Sequence, residues 1–292
     1  MPFGVVNGIP LLFIHIPKTA GTSIKEYFNL QIAGHETLHD ALYALEQGVV
    51  PVHANEEYSQ NITEGHRWKT SLDNAAIQMF KEAHHQKVHP IAKWFKFCFV
   101  RNPWDRMASM YHYHYHDFGG LGSFDEMIED MRRHQGPIFD PSSDVQLRLT
   151  QTQFISVGDT TEQVSPLSPN PFFTGRHPVR DTPNTMMIDY LGRYESLHRD
   201  VKEICRHLDE NYQGSDTYWK NHRGAFTARA RPSKNSRQRY TKMYTTFNLI
   251  YAVFQYYYED VVNFNYTFSG HPNCEITKEC FKIRAKNVTQ SL

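Results

Sequence analysis

The chain has 292 residues, of which 40% are hydrophobic and 14% aromatic, so it has enough apolar side chains for a sizeable core. Its 31 basic and 31 acidic residues give a formal net charge of zero, and overall charge therefore identifies no polyionic partner. No apolar run reaches the roughly 18 residues of a membrane-spanning helix, and no secretory signal opens the sequence. We therefore expect no membrane insertion.

Apolar periodicity and turn-forming residues predict alternating strands and helices. In chain order the predicted elements are a strand at 10–16, a helix from Thr22 to about Leu30, a helix at 72–88, a strand at 96–101, a helix from Pro103 to about His116, a long loop at 157–184, a strand at 186–192 and helices at 195–209 and about 238–261. This alternation predicts an α/β fold with a mainly parallel sheet and helices on both faces. Ligands of such sheets bind beyond the carboxyl ends of the strands.

The loop in "FIHIPKTAGTS", after the first predicted strand, has the composition of an anion-binding site. Gly21 lets the backbone approach an anion closely. Thr22 and Ser23 begin a helix whose unpaired N–H groups favour negative charge, and Lys18 adds a mobile cation. The alternative is an ordinary capped turn between a strand and a helix.

A second polar loop follows the predicted strand at 96–101, in "FVRNPWDRMASMYHY". Arg101 ends that strand and carries a forked cation suited to phosphate. Pro103 is well placed as the first residue of a helix, and Ser109 lies about two turns into it. We expect Arg101 and Ser109 to bind a second phosphate. The alternative for Arg101 is an ion pair with Asp105 or a glutamate.

Two anion sites on successive strand–loop–helix units indicate a nucleotide with phosphates at both ends of its ribose. A kinase would need Gly-x-x-x-x-Gly-Lys-Ser/Thr and a carboxylate at the end of a second strand to hold Mg²⁺. Here the lysine precedes the glycine, and the second strand ends in Arg101. The sequence therefore favours a transfer reaction that needs no metal.

These two motifs resemble those of sulfotransferases that use 3′-phosphoadenosine 5′-phosphosulfate (PAPS). "IPKTAGTS" is similar to their 5′-phosphosulfate loop and "VRNPWDRMASMYHY" to their 3′-phosphate motif. The sequences of the two motifs are most similar to those of the carbohydrate branch, which includes heparan sulfate 2-O- and chondroitin sulfotransferases and small bacterial relatives. The stretches "QTQFIS" (151–156) and "IDYLGRYESLHRDVKEIC" (188–205) and the ending "RYTKMY…YYYEDVVNFNY" also fit this branch. The resemblance is weak over 31–95 and 157–184.

The resemblance implies a role for each matching residue. The 5′-phosphosulfate would be held by Lys18, Thr19, Gly21, Thr22 and Ser23. The 3′-phosphate would be bound by Arg101 and Ser109. It also implies a doubly wound, P-loop-like core related to nucleotide kinases, with no metal. We therefore predict a single sulfotransferase domain over 1–268 and a C-terminal tail at 269–292.

Sulfuryl transfer also needs a general base with a pKa near neutrality, which favours histidine. In the resembling family this base lies between the two phosphate motifs, often just before a helix. His66, which precedes the predicted helix at 72–88, fits that position. His53 is the second candidate. His15 is the third, but its place in the first predicted strand favours a buried structural histidine.

Two further clusters have less defined roles. "YHYHYH" (111–116) puts His112 and His116 on one helix face, but without the glutamate of His-Glu-x-x-His we interpret it as a solvated or cleft-lining face and not a metal site. The segment 220–242 has eight lysines and arginines and no acidic residue. We expect Arg229, Arg231 or Lys234 to help close over the cofactor; a solvated loop and a groove for an acidic polysaccharide are the alternatives. Nucleic acid is a weaker alternative, because no nucleic-acid-binding motif accompanies the charge.

The sequence thus predicts a PAPS-dependent sulfotransferase that acts on a hydroxyl of a sugar or glycan. A P-loop kinase-like phosphotransferase and a non-catalytic module that binds acidic glycans or nucleotides are the alternatives. We expect a cytoplasmic location, or the Golgi if the chain is a fragment without its anchor. Cys274 and Cys280 are close enough in sequence to pair, although a cytosolic chain would keep them reduced.

Overall fold

The computed structural model describes residues 3–6, 9–28, 30, 38, 94–113, 122–133, 149–157, 185–186, 188–211 and 240–290. The strands are β1 (Phe3–Val6), β2 (Ile9–Ile14), β3 (Phe95–Val100), β4 (Ser156–Val157), β5 (Thr185–Met186) and β6 (Tyr190–Arg193). The helices are α1 (Gly21–Tyr27), α2 (Pro103–Tyr111), α3 (Phe124–Arg133), α4 (Gln151–Ile155), α5 (Leu197–Asn211), α6 (Phe247–Tyr256), α7 (Tyr258–Asn263) and α8 (Glu275–Gln290). Single 3₁₀ turns lie at Tyr194–Ser196 and Tyr240–Lys242.

The described residues form two compact units, the first including the sheet and α5 and the second including α2, α3 and α6 to α8. In the first unit the strand order is β1-β2-β3-β6. β2 and β3 pair in parallel, as the sequence predicts, with Ile14 opposite Cys98, whereas β1 is antiparallel to β2. The sheet is therefore mixed. The predicted strand at 10–16 ends earlier, at Ile14, so His15 is the first residue of the following loop.

The core of the first unit is built around the aromatic residues of β2 and β3. All six residues of β3 are buried, which confirms the fully buried strand that its apolar run predicts. Phe97 stacks on Phe13 with 5.1 Å between ring centroids and meets Phe28, the residue that caps the end of α1, edge-on at 5.3 Å. Because α1 is anchored by this ring contact, the loop between β2 and α1 is held at both ends.

The predicted strand at 186–192 is wrong as a single element. Its start belongs to β5, which pairs with β4 in a separate two-stranded sheet, and its end belongs to β6. Asp189 lies between them, and its carboxylate accepts the backbone N–H of Lys96 at 2.7 Å and pairs with the Lys96 ammonium at 2.7 Å. The Asp189 N–H in turn donates to the Lys96 carbonyl at 2.8 Å, so one of the two bonds to the Lys96 backbone is made by the Asp189 side chain and the regular ladder is interrupted here.

The second unit contains the helix that follows β3, and this helix begins as predicted. Pro103 is its first residue, and the side chain of Asn102 accepts the N–H of Trp104 at 3.1 Å. The Trp104 ring is fully buried and donates its indole N–H to the carbonyl of Ile250 at 3.0 Å. The start of α2 is thereby fixed against α6. Helix α2 ends at Tyr111, and 114–116 lie outside the described residues.

The long helix predicted at about 238–261 is broken. The described part comprises the 3₁₀ turn at Tyr240–Lys242, then α6 and α7, which are separated by Tyr257. Thr246 has an extended backbone, with φ −134° and ψ 157°, and Thr245 donates its hydroxyl to Asp125 at 2.9 Å. Two adjacent β-branched residues with polar groups disfavour the helix at this point. The apolar spacing that indicated one helix persists across the break.

Helix α8 occupies most of the segment that the sequence assigns to a C-terminal tail. Phe281 packs edge-on against Phe254 at 5.0 Å, and the Arg284 guanidinium lies 3.8 Å from the centroid of the Tyr258 ring. Cys274 and Cys280 are buried free thiols. The domain boundary between 268 and 269 stays a prediction, and the predicted helix at 72–88 and the loop at 158–184 lie outside the described residues.

Candidate functional site

The loop between β2 and α1 has an unusual backbone. Lys18 and Ala20 have positive φ angles of 68° and 75°, although neither is glycine. Such conformations cost on the order of 1–3 kcal/mol each and persist where the surrounding structure enforces them. Thr19, which lies between them, is fully buried and donates its hydroxyl to the carbonyl of Ile16 at 2.8 Å. Turns that alternate between left- and right-handed residues direct successive N–H groups into an anion-binding concavity.

Gly21 is needed for a reason that the sequence does not reveal. A Cβ atom at this position would lie 1.6 Å from Nε2 of His15. The His15 ring is itself stacked on Phe13, with 5.5 Å between centroids and 21° between planes. Gly21 therefore makes room for a histidine ring that packs directly on the first turn of α1. His15 thus has a structural part in shaping the loop.

The other predicted ligands of the first loop differ in exposure. Lys18 is partly exposed and Thr22 is exposed, whereas Ser23 is buried, with 8% of its surface accessible. The residue before α1 is Ala20, which has no side-chain group to cap the helix. The Thr19 hydroxyl donates its proton within the loop, so we expect Thr19 to contact a phosphosulfate through its backbone N–H.

In the second unit, Arg101 forms the ion pair that the sequence left as its alternative. Its Nε lies 2.8 Å from Oδ2 of Asp105, and the two side chains are 12% and 21% exposed. A guanidinium has N–H donors on three nitrogens, so a phosphate and this carboxylate could both accept hydrogen bonds from Arg101. Binding of the 3′-phosphate by Arg101 stays a prediction.

Asp105 and Ser109 lie on the same face of α2, four residues apart, and Arg101 is four residues before Asp105. Both helix residues are partly exposed. The residues around them in the sequence are buried: Trp104, Arg106, Met107, Ala108 and Met110. The outward face of α2 therefore carries the carboxylate and the hydroxyl, and Arg101 joins it through the ion pair with Asp105.

A buried polar network next to Arg101 was missed by the sequence analysis. Asp260 and Gln151 are both fully buried, and the Asp260 carboxylate accepts the backbone N–H groups of Gln151 at 2.8 Å and Thr152 at 2.7 Å. Gln151 in turn bonds the backbone of Arg101. "QTQFIS" contributed to the family resemblance, but no local pattern pairs it with an aspartate 109 residues away.

Arg106 supplies a buried cation to the same unit. It is fully buried, donates from Nη1 to the carbonyl of Leu149 at 3.2 Å and lies over the Tyr257 ring at 5.6 Å. Burial lowers the pKa of Arg106 and raises the pKa of Asp260, and each of these two charges partly offsets the shift of the other. Two buried ionisable groups are costly unless they are paired or bonded, so removal of either one would leave the other charge uncompensated.

Several predicted site residues lie outside the described part of the chain: His53, His66, His114, His116, Arg229, Arg231 and Lys234. Among the residues that the structure describes, no group of three or more metal-ligating side chains is suited to hold an ion. Within that same part, no helix combines the length and hydropathy needed to cross a membrane.

The contact between His15 and Gly21 is testable by a double-mutant cycle. We expect Gly21→Ala to lower the free energy of unfolding by about 1–3 kcal/mol, because the added methyl group overlaps the imidazole. His15→Ala removes the obstacle, so Gly21→Ala should cost much less in a His15→Ala background. Urea unfolding of the four proteins measures the coupling. Additive losses would contradict the contact.

One comparison with known proteins identifies the family of the chain. The model of the sulfotransferase family matches residues 3–267, which include both loops. No curated protein and no solved structure matches the chain significantly. Because the family match extends over most of the 292 residues, the chain belongs to the sulfotransferase family.

Proposed function

We propose that this sulfotransferase transfers the sulfuryl group of PAPS to a hydroxyl of a carbohydrate acceptor, on a doubly wound P-loop-like core. The observation that carries the proposal is the loop after β2, where Lys18 and Ala20 adopt left-handed backbone within "IPKTAGTS". Membership of the sulfotransferase family supports sulfuryl transfer in general. The resemblance of the two loops to the PAPS motifs of the carbohydrate branch supports the donor and the acceptor class.

The first loop would bind the 5′-phosphosulfate. Its N–H groups and the hydroxyls of Thr22 and Ser23 donate to the anion, and the Lys18 ammonium follows the oxygen that bridges phosphorus and sulfur. In the reaction the acceptor oxygen bonds to sulfur as the bond from sulfur to that bridging oxygen breaks. The negative charge that develops on the leaving phosphate is stabilised by Lys18.

The second loop would bind the 3′-phosphate. Arg101 contributes charge-assisted hydrogen bonds and Ser109 a hydroxyl from the outward face of α2. Asp105 accepts from Nε of Arg101 and so orients the guanidinium plane, while its negative charge weakens the attraction for phosphate. The guanidinium of Arg101 is therefore well oriented, but its electrostatic attraction for the phosphate is reduced by Asp105.

The acceptor proton needs a separate group. We propose His66 as the base that takes it, with His53 as the alternative, on the position of His66 between the two phosphate motifs. After transfer the proton is on the imidazole, the sulfuryl group is on the sugar oxygen, and adenosine 3′,5′-bisphosphate leaves.

Selectivity for the 3′-phosphate separates PAPS chemistry from that of ATP. We expect adenosine 3′,5′-bisphosphate to bind at least about tenfold more tightly than 5′-AMP, since one or two charge-assisted hydrogen bonds are worth that much. Isothermal titration without Mg²⁺ measures both affinities. Arg101→Gln should abolish the difference and leave the 5′-AMP affinity within about twofold. Equal affinity for the two nucleotides in the unmodified protein would rule out PAPS as the donor.

The assignment of the base predicts a loss of turnover without a loss of binding. His66→Ala should reduce kcat by about 100-fold or more, because proton transfer by a positioned base contributes that much. Titration with adenosine 3′,5′-bisphosphate should give an unchanged affinity. His53→Ala is the matched control and should retain turnover. If His66→Ala stays active and His53→Ala does not, the base is His53.

A further inference from the structure

The backbone of Arg101 is held on both sides by one side chain. The N–H of Arg101 donates to Oε1 of Gln151 at 2.7 Å, and Nε2 of Gln151 donates to the carbonyl of Arg101 at 2.8 Å. In an antiparallel ladder, the two residues of a hydrogen-bonded pair exchange this same pair of bonds. Arg101 is the first residue after β3, so the Gln151 amide replaces a strand partner where the ladder ends.

Only one orientation of the Gln151 amide satisfies both bonds, because its oxygen only accepts and its nitrogen only donates. That orientation is fixed by Asp260. Oδ2 of Asp260 accepts the backbone N–H of Gln151 at 2.8 Å and its Nε2 at 3.3 Å. Gln151 and Asp260 are both fully buried, so water does not compete for these bonds.

The Asp260 carboxylate is itself anchored on its other oxygen. Oδ1 accepts the N–H of Thr152 at 2.7 Å and its hydroxyl at 2.9 Å. The residue after Arg101 is also fixed, since Asn102 donates from Nδ2 to the carbonyl of Thr267 at 2.7 Å. Bonds to the backbone therefore constrain the chain on both sides of the Arg101 Cα atom and set the direction of its Cα–Cβ bond before any ligand binds, while Asp105 holds the guanidinium at Nε.

We propose that Gln151 is a positioning residue that sets the preference of this enzyme for nucleotides with a 3′-phosphate. The inference rests on the proposed function, in which Arg101 binds that phosphate. A guanidinium that is already aimed at the phosphate loses less conformational freedom on binding, and the affinity for the phosphate is higher as a result. Gln151 touches no part of the nucleotide and acts through Arg101 alone.

A purely structural role for Gln151 predicts a different result when Gln151 is replaced. Replacing a buried, bonded side chain by an apolar one of similar shape lowers stability whatever its partners are. A positioning role adds a selective effect on the one ligand group that Arg101 contacts. The ratio of the affinities for adenosine 3′,5′-bisphosphate and 5′-AMP reports this effect and is insensitive to a uniform loss of stability.

The test uses Gln151→Met, which keeps the side-chain volume and removes both bonds to Arg101. Isothermal titration should show the affinity for adenosine 3′,5′-bisphosphate about tenfold lower, as expected when charge-assisted bonds are misaligned, and the affinity for 5′-AMP within about twofold of the unmodified protein. Gln151→Asn is the second variant if Gln151→Met does not fold. It keeps a polar amide that is one methylene too short to bridge both backbone groups, and it should give the same change in the ratio.

Ser196→Ala is the matched control. It removes a hydroxyl bond of 2.8 Å to another buried carboxylate, that of Asp200, which lies outside the Gln151–Asp260 network, so it should lower the urea midpoint and leave the affinity ratio unchanged. An unchanged ratio in folded Gln151→Met or Gln151→Asn, beside a clear 3′-phosphate preference in the unmodified protein, would overturn the inference alone. Absence of that preference in the unmodified protein would instead overturn the proposed function.

Discussion

The proposed 5′-phosphosulfate loop depends on the parallel pairing of β2 with β3. Ile14 lies opposite Cys98, and each strand ends within two residues of this pair and passes directly into a polar loop. Stacked aromatic rings hold the two strands and α1 together, so the first loop starts and ends on rigid elements. A rigid frame of this kind allows Lys18 and Ala20 to keep left-handed backbone that an unsupported loop would relax.

The two loops reach a fixed geometry by different physical means. In the first, a buried threonine hydroxyl and the packing of His15 on Gly21 hold the backbone in a strained conformation. In the second, the Arg101 backbone is held by hydrogen bonds to the buried Gln151 amide, which is bonded in turn to the buried Asp260 carboxylate. In both loops the backbone is already ordered by folding, so less conformational entropy would be lost when an anion binds. This is consistent with loops that bind a highly charged nucleotide.

The sequence was most informative where the signals are local. The strand that ends before "PKTAGTS", the buried strand at 96–101 and the start of α2 at Pro103 follow from apolar runs and capping residues. Asp189, which interrupts the predicted strand at 186–192, acts through a bond to Lys96 that no local pattern contains. The same holds for the Gln151–Asp260 network, and the break before α6 was hidden by apolar spacing that continues through it.

The central claim is the transfer of a sulfuryl group from PAPS to a hydroxyl. Incubation of the protein with PAPS radiolabelled in sulfur and a panel of glycans, in the presence of EDTA, measures this directly. We expect label to appear in at least one glycan, with one adenosine 3′,5′-bisphosphate formed for each sulfate transferred. A protein that leaves the label on PAPS with every hydroxyl acceptor, yet moves the γ-phosphate of Mg²⁺–ATP, would contradict it.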